Sequence, residues 1–265
     1  MSGGSGRQPV RTVENGRLLW WQQEADDAYW FEKFDSAIAS SHRAADEGRL
    51  GRIGELLAGA LPRNGAVLEA GSGTGWVVAG LRARGFDIEG VEHSARLVEA
   101  VRRHRPRLPI RQGDVRALEK PDGSYDGYVS LGVVEHFRDG CGDFLREAER
   151  LLAPGGVLCL SVPHFNGLRR LKAALGLFRG EPGDLPFYQY AFTRRGLERL
   201  LAPYAFEIER FAGYGAARCL EKELPGAYAR MLRTPGLWRL PRWSERLDRT
   251  GLVSHMILAI ARRAA

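Results

Sequence analysis

A short apolar strand that runs directly into a glycine-rich turn constrains the fold of this 265-residue chain more than any other feature. The strand is predicted over residues 66–70, and glycines follow at positions 71, 73 and 75. Glycines let the backbone adopt conformations closed to other residues and let a ligand lie against bare peptide. The helix that starts after the turn offers free N–H groups to an anion. The sequence therefore predicts a site for a nucleotide-like ligand at this strand end.

The spacing of the glycines distinguishes two cofactors. The dinucleotide fingerprint requires its third glycine three residues after the second, and Trp76 occupies that position. The pattern Glu-x-Gly-x-Gly-x-Gly, which begins at Glu69, instead resembles the first motif of class I S-adenosylmethionine-dependent methyltransferases. The resemblance implies that Glu69 orients the methionine amino group of S-adenosylmethionine. It also implies that the turn binds this cofactor through Gly71, Ser72, Gly73 and Gly75.

Strands and helices alternate along most of the chain. Strands are predicted at 66–70, 86–91, 108–112, 125–131 and 155–162, with helices near 75–84, 94–104, 139–152 and 193–202. Such alternation produces parallel strands joined by right-handed crossovers, and hence a doubly wound α/β sheet. Two last strands are predicted at 206–211 and 252–260. The resemblance places them in a C-terminal antiparallel hairpin of a seven-stranded, mostly parallel, Rossmann-like sheet.

The chain is predicted to have three parts. Residues 1–17 are polar and rich in Gly and Ser and predict a flexible leader, while residues 18–62 predict an N-terminal helical lid. Residues 63–265 form the S-adenosylmethionine-binding domain that the resemblance implies. Acceptor-binding insertions are expected in it near 163–192 and 213–250.

The predicted lid is rich in aromatic residues. One amphipathic helix is predicted over 25–39 and a second over 44–61. Methyl transfer requires water to be excluded around the sulfonium and the product to leave, which favours a mobile cover over the acceptor. The alternative is that the aromatic residues only pack the helix onto the sheet. Trp30 is the candidate substrate-binding residue of this segment.

The positive charge is concentrated near the C-terminus. The formal net charge is +7, and residues 215–265 hold ten Lys or Arg against four Asp or Glu. Arginines alternate there with Trp and Leu, a composition compatible with an anionic membrane surface, with the phosphates of an acceptor or with a solvated loop. No run of about 18 apolar residues predicts a membrane-spanning helix. The three cysteines lack metal-ligand spacing, which favours a reducing, cytoplasmic location.

Residues at the ends of the next strands complete the resemblance. Glu92 ends the second strand and His93 follows it. The resemblance implies that Glu92 accepts hydrogen bonds from the ribose hydroxyls and that His93 borders the adenosine, whereas the alternative for Glu92 is a solvated surface residue. Asp114 and Val115 follow the third strand and match the family's adenine-binding pair. Leu131 ends the fourth strand, whose backbone passes the methionine part of the cofactor.

Two histidines that follow strands are candidate catalytic bases, His136 and His164. Methyl transfer is an in-line displacement that depends mainly on alignment, and a base is needed only when the acceptor arrives protonated. Some related enzymes bind a divalent metal through a glutamate at the position of Gly132, so this chain is expected to need no metal. The other histidines, including His42 and His255, have no partner pattern and are predicted to be surface or structural residues.

The segment Phe187–Thr193 resembles the Tyr-x-x-x-Phe-Thr that precedes a helix in many relatives. Thr193 is the predicted N-cap of that helix, and Tyr188 and Tyr190 are candidate acceptor-binding residues. The predicted function is methylation of a small molecule, with the hydroxyl of a sugar or secondary metabolite as first choice. The alternatives are a nucleic-acid methyltransferase, although the Asn/Asp-Pro-Pro-aromatic signature is missing, and a non-catalytic cofactor-binding subunit.

Overall fold

The computed structural model describes residues 9–234, 236 and 251–265. The strands within these residues are β1 (Val10–Glu14), β2 (Arg17–Trp21), β3 (Ala66–Ala70), β4 (Asp87–Glu92), β5 (Ile110–Gln112), β6 (Tyr125–Leu131), β7 (Leu152–Pro163), β8 (Phe187–Ala191), β9 (Phe206–Tyr214) and β10 (Met256–Arg263). The α-helices are α1 (Asp27–Asp35), α2 (Ile38–Asp46), α3 (Gly51–Ala58), α4 (Trp76–Arg82), α5 (Ala95–His104), α6 (Gly142–Leu151), α7 (Gly167–Ala174), α8 (Arg194–Leu201), α9 (Ala216–Glu223) and α10 (Pro225–Arg233). A 3₁₀ turn covers Val134–His136.

Seven strands form the main sheet in the order β5-β4-β3-β6-β7-β10-β9. Neighbouring strands from β5 to β7 are parallel, and β10 pairs antiparallel with both β7 and β9. This topology confirms the doubly wound, Rossmann-like sheet with its antiparallel C-terminal hairpin. It also places the carboxyl ends of β3, β4 and β6 at one edge of the sheet, where ligands bind in open α/β folds.

The main sheet is covered by two apolar layers. One buried cluster packs α6 and α8 against the strands through Phe144 and Leu197, and another packs α3 and α4 through Leu57 and Val78. The three cysteines are free and buried within the fold. These layers hold the strand ends rigidly, so the residues that follow the strands have fixed positions.

The N-terminal segment differs from its prediction, because residues 10–21 form a β-hairpin rather than a leader followed by a helix. Its turn is Asn15-Gly16, and both residues have positive φ, as a two-residue hairpin turn requires. Strand β2 then pairs with β8, which makes a three-stranded sheet separate from the main one. Strand β8 lies about 170 residues further along the chain than β2, so no local sequence pattern predicts their pairing.

The two helices predicted over 25–39 and 44–61 are three in the structure, α1 to α3. The chain breaks between α1 and α2 at Ser36 and Ala37, and again before α3. Gly48 and Gly51 adopt positive φ at the second break, a conformation that ends a helix. The segment is therefore helical, as predicted, but it is bent twice around the edge of the sheet.

The predicted insertions contain α7 and β8 in the first case and α9 and α10 in the second. Thr193 caps α8 as predicted, because its Oγ1 accepts a hydrogen bond from the Gly196 amide at 3.0 Å. Of the basic segment 215–250, for which membrane or phosphate contacts are predicted, residues 235 and 237–250 lie outside the described residues. None of the helices in the described part of the chain has the length and apolar character needed to cross a membrane.

Candidate functional site

Two cavities open at the carboxyl edge of the main sheet, and they share part of their walls. The smaller has a volume of about 400 Å³ and the larger about 790 Å³. The residues common to both linings are Trp30, Phe34, Gly71, Gly73, Leu131, Gly132 and His136. A molecule in one cavity can therefore reach a molecule in the other across this shared wall.

Glu92 anchors the smaller cavity where β4 ends. Its Oε2 accepts a hydrogen bond from the Gly73 amide at 2.9 Å, and its Oε1 accepts one from the Ser94 amide at 3.0 Å. These bonds fix the carboxylate beside the glycine turn, with lone pairs left for a ligand hydroxyl. His93, the next residue, lines the same cavity, and its place beside the adenosine stays a prediction.

The adenine-binding pair predicted after β5 also lines the smaller cavity. The hydrogen bond from the Arg116 side chain lowers the pKa of Asp114, so its carboxylate is ionised and can accept from an exocyclic amine. Val115 is buried in the cavity wall, where it offers an apolar surface to a purine ring. Leu131 lies in the wall shared with the larger cavity.

The glycines of the turn differ in whether they line the cavities or pack inside the fold. Gly71 and Gly73 line both cavities with φ of +79° and +52°, and a side chain at Gly71 would collide with Val133. Gly75 lines neither cavity, because it packs against Ile110 and Leu108, where no Cβ would fit. Gly75 thus shapes the turn, and the structure does not place it in contact with either cavity, as its predicted role in cofactor binding requires.

Three buried polar atoms of residues that line the larger cavity have no partner among the described residues, namely Glu69 Oε2, Ser72 Oγ and Glu135 Oε2. Burial raises the pKa of Glu69 well above its usual range. An unpaired buried carboxyl is costly, and a ligand ammonium would satisfy it. This arrangement is compatible with the amino group of an amino-acid moiety, and the role that the resemblance implies for Glu69 stays a prediction.

His136 stands in the wall between the two cavities. Its Nδ1 lies 2.7 Å from the Tyr188 carbonyl oxygen, which can only accept, so Nδ1 carries the proton and Nε2 the lone pair. Burial lowers the pKa of His136 to about 4, which keeps the imidazole neutral at working pH. The ring is therefore in the form that accepts a proton.

Glu135 precedes His136 and lines the larger cavity with only 2% of its surface exposed. Its Oε2 has no hydrogen-bond partner in the described chain, and burial raises its pKa to about 8. Gly132 has φ of +79°, so the glutamate that some metal-binding relatives carry there would strain the backbone. No group of three His, Cys, Asp or Glu side chains within the described residues is arranged to hold a metal ion.

Besides Gly75, two predicted site residues lie away from both cavities. His164 is buried, and its Nδ1 is 2.6 Å from Ser254 Oγ. Tyr190 donates a hydrogen bond from its hydroxyl to the Arg138 carbonyl oxygen at 3.1 Å. Both contacts organise the connections around the sheet, and the structure does not bring either side chain to the candidate acceptor cavity.

The aromatic residues predicted to bind the acceptor form one cluster. Trp30 lines both cavities and meets the His136 ring edge-on at a centroid distance of 4.9 Å. Tyr188 lines the larger cavity, and its hydroxyl accepts a hydrogen bond from Lys33 Nζ at 2.8 Å. The cluster covers the wall on which the two cavities meet.

Sequence reasoning did not single out several residues of the larger cavity as site residues, namely Arg11, Trp20, Arg218, Lys222 and His255, although Trp20 lies in the predicted lid and Arg218 and Lys222 lie in the predicted insertion 213–250. The Asn15-Gly16 pair between two short β-type runs was the available signal for the hairpin that carries the first two. His42 has a structural role, one of the two predicted for it: its buried ring contacts the Thr74 carbonyl oxygen at 2.6 Å and ties α2 to the glycine turn. No local pattern indicated the contacts of His42 or His255, because their partners, Thr74 and Arg169, are distant in sequence.

A Rossmann-like sheet with a glycine turn after its first strand and acidic residues at the following strand ends defines a nucleoside-cofactor domain of the methyltransferase type. Residues 42–210 match the family model described as "Methyltransferase domain". The chain therefore belongs to the S-adenosylmethionine-dependent methyltransferases.

Individual relatives agree with this membership. The chain is 31% identical over 193 residues to a probable S-adenosylmethionine-dependent methyltransferase of Mycolicibacterium smegmatis. The matched region makes up 71% of this chain and 63% of the relative. The chain is also 30% identical over 152 residues to a rice 2-methyl-6-phytyl-1,4-hydroquinone methyltransferase. That match makes up 53% of this chain and 44% of the rice protein. The chain thus spans less than two thirds of either relative.

A solved structure shows the same fold. The S-adenosylmethionine-dependent methyltransferase from Mesorhizobium loti superposes with a TM-score of 0.54 at 20% identity, over 82% of this chain and all of that one.

Proposed function

We propose that this protein transfers the methyl group of S-adenosylmethionine to a small molecule held in the larger cavity. The observation that carries the proposal is the wall shared by the two cavities, with His136 in it. The smaller cavity holds the residues suited to ribose and adenine, and the larger one offers space for an acceptor. A cofactor-binding subunit without catalysis would need only the part of this second cavity beside Glu69 and Ser72.

The chemistry requires alignment more than activation. The bound cofactor would supply its methyl group to an acceptor oxygen, with the electron pair of the carbon–sulfur bond going to sulfur and the acceptor proton going to a base. Glu92, Asp114 and Glu69 would fix the cofactor, which supplies the activated methyl group. His136 would take the proton at Nε2, and the aromatic cluster around Trp30 would exclude water.

A hydroxyl group is our proposed acceptor, on a sugar or a secondary metabolite. A neutral imidazole suits an alcohol or phenol, which must lose a proton as it is methylated. The rice relative is named for a small-molecule substrate, a hydroquinone. We propose that the activity needs no divalent metal, because Gly132 stands where a ligating acid would be needed.

Cofactor binding is the first test. We expect Glu92→Ala and Asp114→Ala each to weaken S-adenosylhomocysteine binding by about 1–3 kcal/mol, because each leaves polar groups of the ligand unpaired. Calorimetry measures the affinity, and NAD is the negative control. Asp143→Ala, which removes an exposed acid in an ion pair with Arg146, is the matched variant and should bind normally. Unchanged affinity in both site variants would refute the assignment.

Turnover is the second part of the same test. Release of S-adenosylhomocysteine from S-adenosylmethionine, screened with sugars, phenols and oligonucleotides as acceptors, separates the candidate functions. A hydroxyl acceptor supports the proposal. Methylation of the oligonucleotide alone would favour a nucleic-acid enzyme, and tight cofactor binding without turnover on any acceptor would favour a binding subunit.

We also propose that α1 is a lid over the site. Helix α1 has no fully buried residue, yet Trp30 and Phe34 on it line both cavities. A helix held by so few buried contacts opens at low cost, and a ligand below it would add the missing contacts.

Hydrogen exchange tests the lid. We expect S-adenosylhomocysteine to slow amide exchange in residues 27–35 at least tenfold while α8 is unaffected. Trp30→Ala should lose most of this protection, whereas Glu32→Ala, which changes an exposed residue of the same helix outside both cavities, is the matched control. If the amides of α1 exchange as slowly as those of α8 in the free protein, the helix is a fixed wall and not a lid.

A further inference from the structure

The larger cavity has a marked excess of positive side chains. Five cationic residues line it, against three acidic ones: Arg11, Lys33, Arg169, Arg218 and Lys222, against Glu69, Glu135 and Glu223. Burial raises the pKa of both Glu69 and Glu135, so they carry little of the compensating charge. Glu223 is therefore the principal anion of this wall.

Glu223 is already saturated with cations. Its carboxylate accepts hydrogen bonds from Arg169 Nε at 2.9 Å, from Arg11 Nη1 at 2.9 Å and from Lys172 Nζ at 2.8 Å. Burial alone would raise the pKa of Glu223, but these three partners lower it to about 2. Three cations on one carboxylate leave this buried cluster with an excess of two positive charges.

Helix α9 adds two more cations to the same cavity. Arg218 and Lys222 are four residues apart and so lie on one face of the helix. Both are exposed and line the cavity, and neither has an acidic partner within the described residues. His255 lies beside them but stays neutral, since burial lowers its pKa to about 3 and its Nδ1 is 2.9 Å from Arg169 Nη2.

This distribution indicates the charge of the ligand. Like charges gathered at the wall of a cavity repel one another, and a multiply charged anion relieves that repulsion. One carboxylate would compensate only one of the excess charges, whereas a phosphate or diphosphate group compensates two or more. Arginine and lysine are also the side chains that proteins use to bind phosphate oxygens.

We propose that the methyl acceptor carries a phosphate or diphosphate group, which binds between α9 and the Arg11–Arg169–Glu223 cluster. This inference rests on the proposed function for the identity of the cavity as the acceptor site. The rest of the acceptor then extends toward His136 and the aromatic cluster. Arg218 and Lys222 contact the phosphate oxygens, and Arg11 supports them from β1.

Pyrophosphate is the ligand to test first. Calorimetry at fixed ionic strength, without metal ions and with the protein saturated by S-adenosylhomocysteine, should show pyrophosphate binding. The double variant Arg218→Ala/Lys222→Ala should weaken it at least tenfold, with the affinity for S-adenosylhomocysteine unchanged. The matched control, Arg103→Ala/Arg195→Ala, removes two exposed arginines from outside both cavities and should bind pyrophosphate as the wild type does.

The outcomes separate the two proposals. Equal loss in both double variants would show a general charge effect and overturn the phosphate site. Succinate bound as tightly as pyrophosphate would overturn the assignment to phosphate, and so would phosphatidylglycerol vesicles that pyrophosphate does not displace from the protein. Failure of S-adenosylhomocysteine to bind, with pyrophosphate binding intact, would refute the proposed function and leave the anion site standing.

Discussion

Replacing His136 with asparagine is expected to lower turnover by a factor of about 10²–10⁴, the usual contribution of a general base. The imidazole lies in the wall between the cavities, and its Nδ1 is held by the Tyr188 carbonyl oxygen, so Nε2 is left to accept the acceptor proton. Asparagine keeps a donor for that carbonyl but has no basic nitrogen. The measurement is the rate of S-adenosylhomocysteine release with an acceptor found by the screen.

The pH profile identifies which side chain acts as the base. The pKa of His136 is lowered to about 4, so a reaction that uses it should keep its rate between pH 7 and pH 5. The pKa of Glu135 is raised to about 8, so a reaction that uses this carboxylate should lose rate as the pH falls below 8.

Two further variants control for position and binding. Glu135→Gln keeps the size of the neighbouring side chain and should leave the rate within a few-fold of wild type. The affinity for S-adenosylhomocysteine should stay the same in both variants. Wild-type turnover in His136→Asn would contradict the assignment of the base.

The cofactor half of the site follows from the sequence because its residues lie where consecutive strands end. The glycine turn, Glu92 and Asp114 each come directly after a strand, and the parallel topology brings those strand ends to one edge. Local pattern and fold topology therefore suffice to place them. His136 also follows a strand, and it too reaches the predicted edge.

The acceptor half does not follow from local patterns, because its residues come from distant parts of the chain. Arg11 meets Glu223 across 212 positions, and β2 pairs with β8 only in the folded protein. His164 shows the opposite case, a residue that was predicted at the site but does not line it. It follows β7 as His136 follows β6, but its side chain bonds to Ser254 and stays outside both cavities, since strand-end position does not fix the direction of a side chain.

Replacement of Glu223 with leucine is expected to lower the free energy of unfolding by about 3–5 kcal/mol. The variant leaves Arg169 without its anion, and the Arg169 side chain is only 1% exposed. An uncompensated buried charge costs this much, whereas an exposed ion pair contributes about 0–1 kcal/mol. Denaturant unfolding followed by circular dichroism measures the difference, and Glu209→Leu, which breaks the exposed pair with Arg262, is the matched control.

The pH dependence of that difference tests its electrostatic origin. The pKa of Glu223 falls from an ordinary 4.5 to about 2 on folding, so its contribution is fully present above pH 4.5 and is lost as the pH falls toward 2. The gap between wild type and Glu223→Leu should therefore narrow between pH 4.5 and pH 2. Glu223→Gln, which keeps the shape and can still accept a hydrogen bond, should lie between the two at neutral pH. A gap that stays constant down to pH 2 would mean that the loss comes from packing and that the cluster does not depend on this charge.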